Sequence, residues 1–199
     1  MEPLQVGELY LVLSMMFGGK TTYLLRVLEA AGRAVKCLYI NHSSDKRSSD
    51  PYSTHNALFS GSVNTKINAT FIQITNFDEL SDEYLSQFKV VCVDEGQFFK
   101  GLVDFCLKLV EKMGCKVYVA ALSGTYERKL FGEIGDLIPL VDDIIPLRDT
   151  LCQPCSEKGS MKDALYTHRK VNSTHEVIEI GSDNYMPVCR SCYLKLNPK

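Results

Sequence analysis

The stretch Ser14-Met15-Met16-Phe17-Gly18-Gly19-Lys20-Thr21 constrains this chain more than any other. An apolar run, Leu9-Tyr10-Leu11-Val12-Leu13, leads into it, and a helical pattern leads out. A strand, a glycine-rich turn, Lys-Thr and a helix together form a cradle for a nucleotide triphosphate. Backbone N–H groups of such a turn, and of the helix N-terminus behind it, point at phosphate oxygens. Lys20 adds positive charge, and the Thr21 hydroxyl is a ligand for Mg2+. The candidate ATP-binding residues are therefore Ser14, Met15, Met16, Phe17, Gly18, Gly19, Lys20, Thr21 and Thr22. Ser14 departs from the pattern GxxxxGK[ST], whose first residue is glycine.

Short apolar, β-rich runs alternate with helical patterns after this point. The predicted strands are Glu8–Ser14, Val35–Asn41, Thr70–Ile74, Val90–Asp94, Val117–Ala121 and Asp143–Leu147. The predicted helices are Lys20–Ala31, Phe77–Ser86 and Leu102–Met113, with Gly32 and Gly114 placed as left-handed caps. Strands rich in Val, Ile and Leu, separated by helices, indicate an α/β fold with a parallel sheet covered on both faces. The polar stretch Asn41–Asn68 reads as a long functional loop. From Thr150 the alternation stops, which places a boundary near Arg148. Residues 1–148 form the nucleotide-binding domain and 149–199 a small appendage.

Charge and cysteines narrow the setting. A formal net charge of −2 implies no strongly basic surface, which argues against nucleic acid as the main partner. No apolar run is long enough to cross a membrane, and no secretory signal opens the chain, so a cytoplasmic protein is expected. Cys37, Cys92, Cys106 and Cys115 sit singly in apolar runs and read as buried thiols. Cys152, Cys155, Cys189 and Cys192 form two CxxC pairs, which suit a structural Zn2+ with four thiolates and no open position; the alternatives are a thioredoxin-like dithiol, which needs only one CxxC, and an iron–sulfur cluster. His42, His55, His168 and His175 are scattered and read as solvated or loop residues. Arg128 and Lys129 form either an exposed pair or a reach toward phosphates.

The run Val90-Val91-Cys92-Val93-Asp94-Glu95 ends a strand in two carboxylates. An acid at this point in a P-loop enzyme serves the nucleotide's Mg2+, the role expected of Asp94 with Thr21. Successive strand residues face opposite ways, so Glu95 would face the acceptor and take its hydroxyl proton as general base.

Asp94-Glu95-Gly96-Gln97-Phe98-Phe99 resembles the central signature of thymidine kinases of the cellular cytosolic, bacterial and poxviral type. Met16-Phe17, Asp45-Lys46-Arg47, Thr54-His55, Ala120-Ala121-Leu122-Ser123-Gly124-Thr125-Tyr126, both CxxC pairs, Tyr166-Thr167 and Tyr185 fit in the right order across nearly the whole chain. The resemblance implies an ATP-dependent phosphotransferase making dTMP from thymidine, with deoxyuridine also accepted, ATP, Mg2+ and structural Zn2+ as cofactors, feedback by dTTP, and a homotetramer. It implies a P-loop sheet with a zinc-ribbon subdomain carrying a lasso loop. Its site would consist of Glu95, Arg47 and Lys20 for catalysis, with Arg47 stabilising charge on the transferred group. Met16, Phe98, Leu122 and Phe131 would wall the pyrimidine. Thr167, Ile178, Ile180, Gly181 and Tyr185 would bind base and sugar. The chain departs from the family at Ser14, Ser123 and Leu130, and its loop before Tyr185 is shorter. Two rival readings are another deoxynucleoside kinase specificity and a nucleotide-gated zinc-ribbon module that binds nucleic acid.

Overall fold

The computed structural model describes residues 6–45, 67–170 and 184–198. Six strands, β1 (Glu8–Ser14), β2 (Cys37–His42), β3 (Ala69–Ile74), β4 (Val90–Val93), β5 (Lys116–Leu122) and β6 (Asp143–Pro146), form one sheet. Their order is β3-β2-β4-β5-β1-β6, and every neighbouring pair is parallel. The expected α/β class and all six expected strands are present, with ends shifted by up to two residues.

Alternation along each strand divides the core. Leu9, Leu11, Val91, Val93, Val117 and Val119 pack on one face with Phe99, Leu102, Phe105 and Leu109. On the other face Val12, Tyr39, Cys92 and Ala120 meet Leu24, Leu25 and Leu28 of α1 (Lys20–Ala31). Each fully buried leucine contributes about 1.5–3 kcal/mol relative to exposure. Cys37, Cys92, Cys106 and Cys115 are buried as expected, and burial pushes the Cys37 thiol up to about 11.

Helix α1 has the predicted bounds, but the other helices differ. The segment Phe77–Ser86 holds two short turns, because two side chains each start one. Asn76 caps a 3-10 turn at Phe77–Glu79, and Ser81 accepts from the Tyr84 N–H to start α2 (Asp82–Leu85). Helix α3 (Leu102–Leu107) runs on as a π-helical turn, Lys108–Lys112, and ends at Gly114 with φ 63. Gly32 is not left-handed: its φ is −66, and its N–H simply continues the helix to the Leu28 carbonyl. Strand β2 extends through His42, so the polar connection starts later than expected, and its residues 46–66 lie outside those described.

Beyond α4 (Ile134–Leu137) and β6, α5 (Gln153–Ser156), the antiparallel pair β7 (Tyr166–Arg169) and β8 (Tyr185–Val188), and α6 (Arg190–Leu196) form the C-terminal lobe. The sheet order puts β5 between β1 and β4. The carboxyl ends of β1 and β4 thus lie two strand spacings apart, about 10 Å. A side chain from α1 can span that gap.

Candidate active site

The turn after β1 needs two backbone conformations that most residues avoid. Gly19 caps α1 with φ 79, and Phe17 takes φ 65. A β-carbon on Gly19 would meet nothing within 4 Å, so the concave side of the turn is open. The first helical residue, Lys20, is buried. Among the described residues its ammonium reaches only the Met15 carbonyl, at 3.5 Å. A buried cation in front of an open turn suits a phosphate chain.

Thr21 supplies the side chain that spans the gap. Its hydroxyl donates to Asp94 Oδ2 at 2.6 Å, and the Tyr39 hydroxyl donates to the same oxygen at 2.8 Å. Asp94 Oδ1 accepts the Glu95 N–H at 2.9 Å. Burial, then the neighbouring Glu95 carboxylate, pushes the Asp94 carboxyl above the usual carboxylate range, while Thr21, Lys20 and Tyr39 pull it back. The two acids part for a reason other than strand alternation. β4 ends at Val93, and Glu95 turns away in the left-handed region, φ 52. Glu95 Oε2 accepts from Gln97 Nε2 at 2.5 Å, and Gln97 Oε1 accepts the Leu122 N–H at 3.1 Å. Gln97 thus aims the acid and ties it to the end of β5. It lay inside the quoted signature, but an amide in a loop carries no chemistry of its own to announce it.

Several expected binding residues come together. Phe98 meets Phe131 edge-on at 5.5 Å between ring centres. Leu122 is held to Gln97, and the Met16 N–H donates to Thr167 Oγ1 at 3.0 Å, joining the turn to the C-terminal lobe. The Thr150 hydroxyl adds a second tie, to the Phe17 carbonyl at 2.9 Å, a contact that no motif announces. Tyr185 is buried in β8 opposite Arg169. Arg47, Ile178, Ile180 and Gly181 lie outside the described residues, as do His55 and His175. His42 and His168 are buried rather than solvated, because β2 and β7 carry them inside. Arg128 stacks on Tyr193 and Tyr166, with centroid distances of 4.4 and 5.6 Å, while Lys129 is exposed and pairs with Glu127.

Cys152, Cys155, Cys189 and Cys192 converge with all four sulfurs within 4.8 Å of one another. Cys155 Sγ lies 3.8 Å from Cys189 Sγ and 3.6 Å from Cys192 Sγ. Tetrahedral Zn–S bonds of ~2.3 Å require sulfur separations of about 3.8 Å, so the residues fit zinc. The Ser191 hydroxyl pulls Cys189 down to about 6, and its sulfur neighbours, Cys152 first, push Cys155 up to about 12. A central dication favours the thiolate at all four.

A parallel sheet with an open Lys-Thr turn at the end of one strand and paired acids two strands away defines an α/β phosphotransferase. The sequence profile of the family "TK: Thymidine kinase" matches residues 7–193. The chain belongs to the thymidine kinase family, whose activity is ATP-dependent phosphoryl transfer to thymidine. It is 36% identical over 188 residues to a thymidine kinase of Myxoma virus, covering 94% of this chain and 96% of that protein. It is 35% identical to a thymidine kinase of Oryza sativa, covering 97% and 68%, and 34% identical to a cytosolic thymidine kinase of Cricetulus griseus, covering 95% and 74%. Neither rival reading is favoured by these similarities. No helix among the described residues is long and apolar enough to cross a membrane.

Proposed function

We propose that the chain transfers the γ-phosphoryl group of ATP directly to the 5′-hydroxyl of thymidine, with Glu95 as general base. The observation that carries this reading is the 2.6 Å bond from Thr21 to Asp94, which ties the Lys-Thr turn to the strand end that bears Glu95. Phosphoryl transfer needs aligned partners and neutralised oxygens more than covalent help. Lys20 supplies positive charge at the turn, and Arg47 would stabilise charge on the moving group. Thr21 and Asp94 would hold Mg2+: the Thr21 proton goes to Asp94, which leaves the hydroxyl lone pairs for the cation. A general base contributes typically about 10²–10⁴-fold to such a step.

The remaining assignments follow the same division of labour. Met16, Phe98, Leu122 and Phe131 would wall the pyrimidine of thymidine or deoxyuridine. Thr167 accepts from Met16 and keeps its own proton for the base edge. Ile178, Ile180 and Gly181 would bind that edge through the main chain, and Tyr185 the sugar side. Residues 149–199 would act as the zinc-bearing lid of domain 1–148. The homotetramer, dTTP feedback and a cytoplasmic setting are supported by family resemblance, the last also by the cytosolic hamster relative.

Glu95→Gln tests the base. Thymidine phosphorylation is expected to fall about 10²–10⁴-fold while ATP binding stays unchanged. Retention of most activity would sink the assignment.

A further inference from the structure

Strand β2 reads Cys37-Leu38-Tyr39-Ile40, and a hydroxyl in the middle of such an apolar strand needs a partner. Tyr39 is wholly buried in the layer beneath α1, its ring against Phe71 at 5.3 Å between centres. It stands opposite Cys92 in the β2–β4 register, and Asp94 follows Cys92 by two residues on the same face. This alignment delivers the phenol to Asp94 Oδ2 at 2.8 Å, beside the Thr21 hydroxyl at 2.6 Å.

A carboxylate oxygen has two lone-pair directions. Thr21 and Tyr39 take both at Oδ2, and the Glu95 N–H takes one at Oδ1. The phenol therefore fixes the carboxylate's rotation and closes Oδ2 to any further partner. We propose that Tyr39 is a positioning residue for the nucleotide's divalent cation, holding Asp94 so that it receives the Thr21 proton and acts on the cation through that hydroxyl rather than by a direct bond. The proposal rests on the reading of Thr21 and Asp94 as the cation-binding pair. Nothing in the Lys-Thr turn or the Asp-Glu dyad identifies this tyrosine, because it acts from a different strand.

Mn2+ serves as the probe, with its free concentration followed by electron paramagnetic resonance during titration of the full-length protein with ADP present. Tyr39→Phe keeps the ring and leaves two donors on Asp94. It is expected to weaken Mn2+ binding about tenfold, while ADP binding in EDTA stays within about twofold of the parent. Equal weakening in EDTA would indicate general damage and overturn the proposal. Asp94→Asn separates the two readings. If it weakens Mn2+ binding and Tyr39→Phe does not, the tyrosine role fails and the acid's role stands. If neither variant changes Mn2+ binding, the acid's role fails and takes the tyrosine with it. A second measurement needs no tyrosine variant. Oxygen-17-labelled water broadens the Mn2+ resonance in proportion to bound waters, and parent and Asp94→Asn are expected to give the same number. One water fewer in the parent would reveal a direct Asp94 bond and overturn the proposal.

Discussion

Ser14 fills the space that a side chain on Gly18 would need. A β-carbon built on Gly18 would fall closer to the Ser14 hydroxyl than nonbonded atoms come. The same hydroxyl donates to the Leu147 carbonyl at 2.9 Å, so it fastens the turn to the residue after β6. The unusual serine and the glycine four residues on are therefore one packing unit.

That unit predicts a compensating pair. Gly18→Ala alone is expected to cost about 1–3 kcal/mol through overpacking. Ser14→Gly alone loses one partly buried hydrogen bond, about 0.5–1.5 kcal/mol. Combined, they should cost less than their sum by about 0.5–3 kcal/mol, as contacting residues do. Urea unfolding of the four proteins measures the cycle. Strict additivity would show that Ser14 yields to a larger neighbour without cost.

Much of this architecture was legible because it depends on local pattern. Six apolar runs located six strands, and Lys20 through Ala31 gave α1 to the residue. Runs of alternating buried side chains report where a strand lies but not how its neighbours are ordered. Position of the acids relative to the turn therefore came from topology, with β5 inserted between β1 and β4. Phe77–Ser86 departs from a single helix because periodicity cannot show which of two capping side chains wins, and here both do. Gln97, Thr150 and Tyr39 act through contacts far along the chain, with sequence separations of 25, 133 and 55 to Leu122, Phe17 and Asp94. No local motif encodes such pairs. The cysteines were the opposite case: paired spacing alone foretold a cluster that the fold assembles.

His42 makes stability depend on pH. Its Nδ1 accepts the Ser44 N–H at 3.1 Å, and its ring packs against Phe99 at 4.7 Å and Phe98 at 5.8 Å between centres. Burial lowers the pKa of the imidazole, more than its bond to the Thr75 backbone raises it. The unfolded chain therefore takes up the proton first as pH falls. Stability is full above the unfolded value near 6.5 and declines as pH drops through the lower folded value. His42→Gln should flatten the melting temperature between about pH 7.5 and 5.5. An unaltered slope would assign the dependence to His168, whose pKa burial also lowers.

The cysteine cluster connects to the rest of the protein by two routes, one to the segment after β5 and one to the Lys-Thr turn, which sets the outcome of losing the metal. Cys189 caps α6, and Tyr193 in that helix donates to the Tyr126 carbonyl at 2.6 Å while Arg128 covers its ring. From β7, Thr167 accepts the Met16 N–H. Structural zinc supplies on the order of 10–16 kcal/mol of apparent binding energy. Among the described residues, the lobe's buried apolar cluster is small, Cys152, Val188, Cys189 and Tyr193, and two of its four members are cysteines of the metal set. Cys152→Ser with Cys155→Ser should yield a protein without zinc by elemental analysis and open to protease cleavage between Thr150 and Asn197. The sheet and α1 are held by their own buried clusters, separate from that of the cysteines, so ATP binding should suffer less than thymidine binding. The thymidine contacts proposed for Thr167, Leu122 and Phe131 should be disturbed, and KM for thymidine is expected to rise at least tenfold, about 1.4 kcal/mol of lost binding. A zinc-free variant with the parent's protease resistance and an unchanged KM for thymidine would mean that the lobe folds without metal and that its cysteines serve another purpose.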